Sequence, residues 1–209
     1  MELGLILSFL GASMILSILP GPDNIFVLTE SITKGKRNGI GISIGLCLGV
    51  LIHTLAAATG LSIIIQKSAI AFSVIKYIGA LYLFYLAYSA LKEKKTIINF
   101  DSIELPNRIK MFTLVRKGFF MNVLNPKVSL FFIAFLPQFI SNDGYNITIQ
   151  MIILGLIFMV QALIIFGMIA ILSSKLTIYV NNSRFWEITK WSKVSVLSIL
   201  GLTLAFAKK

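Results

Sequence analysis

Apolar positions fill most of the chain in long runs, and the polar positions gather in short intervals between them. Six runs stand out, at roughly Leu5–Leu28, Gly39–Ile65, Ser68–Leu91, Phe119–Ile140, Ile147–Leu172 and Trp191–Ala207. A helix needs about 20 predominantly apolar residues to cross a bilayer. The first five runs are long enough. The sixth is short and is expected to extend back past Lys193 and Lys190, whose long side chains can snorkel to the interface. Trp186 and Trp191 suit the same level. Long alternating strands are absent, which argues against a β-barrel. The predicted fold is all-α: a polytopic membrane protein with six transmembrane helices in a single transmembrane domain, 1–209.

Composition sharpens this reading. Of 209 residues, 57% are hydrophobic, and the mean hydropathy is +0.90. A soluble domain of this size has too little interior to hide that much apolar surface. The net charge of +11 could suggest nucleic acid. The basic residues, however, sit in loops between apolar runs, so no nucleic-acid partner is expected; the partner is the lipid bilayer. Lys34, Lys36 and Arg37 follow the first run. Lys92, Lys94, Lys95, Arg108, Lys110, Arg116 and Lys117 follow the third, and Lys175, Arg184, Lys190 and Lys193 follow the fifth. Only Lys67, Lys76, Lys127, Lys208 and Lys209 fall elsewhere. By the positive-inside rule these three loops are cytoplasmic and, with six spans, both termini lie outside. If the sixth helix does not span, the C-terminus moves inside.

Several classes drop out. The lone Cys47 allows no internal disulfide. No Cys/His cluster offers a metal site, and no phosphate-binding glycine loop supplies an ATP engine, so no cofactor is expected. The N-terminal run carries no preceding Lys or Arg, which argues against a cleaved signal peptide.

The segment 92–117 mixes both charge signs and reads as a cytoplasmic linker between two halves, 1–91 and 118–209, of three helices each. The halves echo each other. "SILPGPDNIFVL" in the first and "NVLNPKVSLFF" in the second align at an offset of 104, which lays Pro22 on Pro126 and Asp23 on Lys127. Three helices per half is an odd number, so the halves must enter the membrane in opposite senses. The loop after the first helix is basic, and its counterpart "SNDGYN" has no Lys or Arg. Both features predict an inverted-topology repeat with broken first and fourth helices.

Proline inside a helix removes a donor and clashes with the preceding turn, at a cost of about 3 kcal/mol. In lipid the freed carbonyl has no water to turn to, so such breaks are tolerated where they line a polar cavity or neighbours re-satisfy them. Broken helices at matching places in inverted halves point to a transporter's substrate site.

The stretch "LPGPDNIFVLTESITKGKRNGIGISIGLCLGVLIHTLAAATGLS" resembles the N-terminal signature of the LysE/RhtB family of amino-acid exporters, and "GFFMNVLNPKVSLFFIAFLPQFI" resembles that family's second signature. The resemblance spans essentially the whole hydrophobic chain. It implies a six-helix exporter of amino acids or their derivatives in the cytoplasmic (inner) membrane of a bacterium or archaeon, coupled to the proton motive force.

Candidate substrate-binding residues are those at the two breaks: Pro20, Gly21, Pro22, Asp23, Asn24, Asn122, Asn125, Pro126 and Lys127. A carboxylate near mid-membrane is costly and so usually functional or paired. Asp23 reads as a proton or substrate-amine site, or, with Asn24, as a cap on the restarted helix. Lys127 either faces Asp23 across the repeat interface, as a pair or as successive contacts to an amino acid's ammonium and carboxylate, or snorkels to a headgroup. The restarted half-helices suit a carboxylate at their N-termini, and the unwound carbonyls suit an ammonium. Gly41, Gly45, Gly49 and His53 follow one helix face, which lets another helix approach closely and points His53 into the bundle. His53 reads as a proton relay with Asp23 or as a hydrogen-bonded structural residue. Tyr82, Tyr85 and Tyr88 read as packing residues or a substrate path, Gln161 as an interhelical hydrogen bonder, and Glu30 as solvated.

The function expected is secondary export of a small-molecule substrate, an amino acid or derivative, in exchange for protons, with no enzymatic step. The alternatives are a non-transporting membrane scaffold and a membrane-embedded enzyme acting on lipid. A homodimer is compatible with so small a bundle.

Overall fold

The structure, a computed structural model, describes residues 2–61, 68–93, 109–141, 144–180 and 182–206. Every element among them is helical. In chain order they are α1 (Leu3–Ile18), α2 (Pro22–Lys34), α3 (Lys36–Ala56), α4 (Ala69–Lys92), α5 (Met111–Val123), α6 (Pro126–Leu130), α7 (Ile147–Ile171), α8 (Ser173–Val180) and α9 (Ser183–Phe206). A wider turn, Ala57–Leu61, continues α3, and α6 runs on through a wide turn, Phe131–Phe135, and a tight one, Leu136–Phe139.

Proline places the two breaks. Pro22 opens α2 and Pro126 opens α6, each at the first helical turn, where the missing N–H would have no partner anyway. The axes of α1 and α2 meet at 55°, and those of α5 and the Pro126–Phe139 segment at 51°. Gly35 then turns the chain between α2 and α3 at a φ of +88°, a conformation that side chains bearing a Cβ rarely adopt.

Among the described residues, three single helices are long and apolar enough to cross a membrane: Lys36–Gly60, Ile70–Lys92 and Ile147–Ile171. With each bent pair counted as one span the number rises to five. The last helix, α9, is 24 residues long but carries Arg184, Glu187, Lys190 and Lys193 in its first half. One of these departs from expectation. Lys193 does not snorkel outward; it is buried and ion-paired with Glu93 at the end of α4. The helix after the linker also starts earlier than the apolar run at Phe119, so Arg116 and Lys117 stand on α5. Most of the linker, with Lys94, Lys95 and Arg108, lies outside the described residues, as do Lys67, Lys208 and Lys209.

The core forms where α3 packs against α5, α7 and α2, while α4 packs against α9. The glycine stripe of α3 faces α5. A Cβ on Gly45 would run into the backbone carbonyl of Val115 and lie 2.8 Å from the Phe119 nitrogen. Gly118 answers from α5, where a Cβ would meet the Ile42 carbonyl. Two backbones thus touch with no side chain between them, as small residues permit in helix pairs within lipid. Many large apolar side chains, among them Leu7, Ile70, Leu81, Leu163 and Ile199, are exposed on the outside.

Candidate functional site

The two breaks meet, and each is repaired by residues from elsewhere in the chain. A helical N–H normally bonds the carbonyl four residues earlier. Pro20 has no N–H, so Leu16 O is left over. The ammonium of Lys127, from the second break, donates to it at 3.1 Å and reaches Leu19 O at 3.4 Å. The Asn24 amide donates to Ser17 O at 2.8 Å. In the second half Pro126 leaves Asn122 O without its helical donor. Asn125 N–H reaches it at 2.9 Å, and His53 Nε2 lies 3.1 Å away. A carbonyl only accepts, so Nε2 of His53 carries the hydrogen.

Asn125 joins the halves. Its Nδ2 donates to Asp23 Oδ2 at 2.7 Å, while its Oδ1 accepts the Lys127 backbone N–H at 3.0 Å and so caps α6. From α7, Gln161 Nε2 donates to Ser17 Oγ at 2.9 Å and to Ser13 O at 3.4 Å. Asp23, Asn24, Asn122, Asn125 and Gln161 are all buried. Beyond the second break, aromatic rings pack on one another. Phe131 packs on Phe9, Phe135 and Phe158 with centroids 5.3–5.8 Å apart, and Phe132 packs on Phe158 at 5.2 Å. The His53 ring lies 5.8 Å from that of Phe132.

Such an arrangement brings a carboxylate, an ammonium and several amides together inside an apolar bundle. The family model of the LysE type translocator matches residues 14–208. The chain belongs to the LysE type translocator family. Over nearly its whole length it is 30% identical to an uncharacterised membrane protein of Bacillus subtilis, with 94% of this chain and 95% of that one covered. It is 28% identical to an uncharacterised membrane protein of Vibrio cholerae over the full length of both chains. It is 27% identical to the homoserine/homoserine lactone efflux protein of Salmonella typhimurium, with 96% of each chain covered. No solved structure matches. The chain is therefore a multi-pass membrane protein of a transporter family.

Within this translocator the sequence-predicted residues fall out as follows. Asp23 and Lys127 are brought to one site but not into a direct pair: Asn125 bonds the Asp23 carboxylate and the Lys127 backbone N–H, and the lysine ammonium donates to the carbonyls of Leu16 and Leu19. Asp23 and Asn24 do not cap α2, whose N-terminus has no side-chain cap. Asn24 turns back and caps the preceding helix by donating to Ser17 O, beside the carbonyls that Lys127 serves. Gly21 is small enough to sit beside the Lys127 ammonium; a Cβ there would lie 3.2 Å from Nζ. Gly41, Gly45 and Gly49 all face α5, with Asn122 2.7 Å from where a Cβ on Gly49 would stand. Tyr85 and Tyr88 are exposed on α4 and do not pack in the interior.

Glu30 corrects another expectation. It is buried, with its Oε1 held by Lys34 at 3.3 Å and by Lys117 of α5 at 3.2 Å. Lys117 also lies 4.3 Å from the centre of the Phe26 ring. The α2 positions Asp23, Val27, Glu30 and Ser31 share one inward face, a spacing of three and four that was readable in the sequence. Both lysines are substantially exposed, so solvent screens the pair and its worth is about 1 kcal/mol at most. Glu30→Gln is expected to lower the detergent-solubilised melting temperature by about 2–4 °C at low salt, with the gap shrinking at high salt.

Gln161 makes the interhelical hydrogen bonds expected of it, and Ser13 and Ser17 join the site beyond the residues the sequence predicts. Ser13 and Ser17, four apart on α1 and followed by the break, carried the signal.

Proposed function

We propose that this translocator exports small amino acids or close derivatives across the cytoplasmic membrane in exchange for protons. One observation carries the reading: the two broken helices meet, with Lys127 of one seated on the freed carbonyls of the other and Asn125 tied to Asp23. Two Salmonella relatives bear the name homoserine/homoserine lactone efflux protein, which supports a substrate of that chemical kind. In this reading Asp23 binds the substrate's ammonium or, in its absence, a proton. His53, whose Nε2–H is engaged by Asn122 O, holds the second break in position.

The same reading takes the chain as six spans in two inverted halves, with the basic loops in the cytoplasm. The packing supports it. If the halves are related by a two-fold, the principal helix contacts should have mates, although the contact of α4 with the Phe131–Phe135 turn is not matched by a comparable one of α9 with α2. The contact of α3 with α5 has its mate in that of α7 with α1 and α2. The contacts of α3 with α7 and of α4 with α9 are each their own mates. The break angles of 55° and 51° match as well.

Cells loaded with radiolabelled homoserine test the function. Expression of the chain is expected to speed efflux several-fold, and an uncoupler to abolish the gain. Unchanged efflux would favour a scaffold, and altered lipid composition without efflux a lipid-acting enzyme.

A further inference from the structure

Four buried side-chain oxygens around the breaks accept no hydrogen bond from the described residues: Asp23 Oδ1, Asn24 Oδ1, Asn122 Oδ1 and Gln161 Oε1. Their residues are 3%, 7%, 1% and 6% exposed, so water does not serve them from the surface. Buried polar atoms are almost always paired, and a cluster of exceptions requires an explanation. All four are acceptors. Any group that satisfies one of them must be a donor.

The amide orientations are dictated by their surroundings. The Asn24 nitrogen faces the Ser17 carbonyl at 2.8 Å, and the Gln161 nitrogen faces the Ser13 carbonyl at 3.4 Å and Ser17 Oγ at 2.9 Å. Carbonyls only accept, so the nitrogens belong there and the oxygens point away. Ser17 is the hub: its backbone holds Asn24 and its hydroxyl holds Gln161. The two amide oxygens carry no formal charge and suit an uncharged donor. The carboxylate of Asp23 suits a charged one.

We propose that Gln161 and Asn24, both anchored on Ser17, form a subsite that recognises an uncharged hydrogen-bond donor, a hydroxyl or amide, in the side chain of the exported molecule. The inference rests on the exporter reading and adds a specificity residue, Gln161, that lies on neither break. A site built to bond a hydroxyl rejects the analogue lacking it, because its own buried acceptors are then left unpaired.

The test uses the purified full chain in proteoliposomes with two radiolabelled probes, homoserine and norvaline, which carries a methyl group where homoserine has the hydroxyl. Wild-type protein should favour homoserine by about tenfold or more in kcat/KM. Gln161→Met, which keeps length and suits lipid, should bring the ratio toward one. Should that variant fail to accumulate, Ser17→Ala is read instead, and the ratio should fall because the amide loses its anchor. Equal loss of both probes with the ratio kept would mark a merely structural glutamine and overturn the inference, as would wild-type protein that moves both equally. Wild-type vesicles that move neither probe would overturn the exporter reading and this inference together.

Discussion

Asp23→Asn is expected to insert and fold, yet to export about 100-fold more slowly than the parent, equivalent to ~2.7 kcal/mol at 1.36 kcal/mol per tenfold. Folding should survive because the new amide oxygen can still accept from Asn125 Nδ2, the bond now 2.7 Å long. What disappears is the negative charge beside the polar belt, and with it the means to hold an ammonium or a proton. Lys127→Gln is the companion. A glutamine can still donate to Leu16 O, but it cannot carry the charge that accompanies Asp23 into the bundle. Because Asp23 and Lys127 are not directly paired and each replacement keeps a hydrogen bond of its parent, the loss should fall on transport and not on folding. Both variants should therefore appear in the membrane at parental levels, by detergent extraction and size-exclusion profile, while losing transport in loaded vesicles. Full transport by either one would remove that residue from the mechanism.

Gly45→Ala is expected to be the most damaging single-methyl change in the bundle. Alanine is the better helix former by about 1 kcal/mol, and on an open helix face the change stabilises. At Gly45 the added carbon collides with the Val115 carbonyl, and the Phe119 nitrogen is 2.8 Å away. These are backbone atoms of α5, which cannot rotate aside as a side chain would. The helices must slide apart, and Gly118 loses its seat against the Ile42 carbonyl at the same time. Overpacking of this kind costs about 1–3 kcal/mol or more. Thermal denaturation in detergent should show a midpoint lowered by about 5 °C or more, given that a chain of this length shifts about 2–4 °C per kcal/mol. Gly11→Ala and Gly167→Ala, where an added Cβ meets nothing within 4 Å, serve as controls and should match or exceed the parent. A Gly45→Ala protein as stable as these controls would show that α3 and α5 do not pack this closely.

Much of the architecture is legible in the order of residues. The apolar runs predict helices close to those observed for α4 and α7, because a lipid-facing helix has to be apolar along its whole length. The glycine stripe at spacing four marks one face of α3. Other features are hidden by their locality. Glu30 reads as solvated since it precedes a basic loop, and only the approach of α5 brings Lys117 to it and buries it. Asn24 reads as a cap for the helix it opens, and only the angle at the break turns it toward the helix it leaves. Gln161 reads as an ordinary interhelical amide, since nothing local reveals that its partner is Ser17 and that its oxygen is unpaired.

The sequence by itself determined where the backbone is interrupted. Proline lacks an N–H whatever surrounds it, so once these runs are helical Pro20 and Pro126 strand the carbonyls of Leu16 and Asn122. It likewise determined that lipid is the solvent for most of the chain. Which groups rescue those carbonyls was decided only by the tertiary structure. Lys127 reaches Leu16 O and His53 reaches Asn122 O because helix packing brings together residues far apart in the chain. A hydrogen bond is settled within a fraction of an ångström, a precision that helix angles and backbone contacts supply and residue order alone does not.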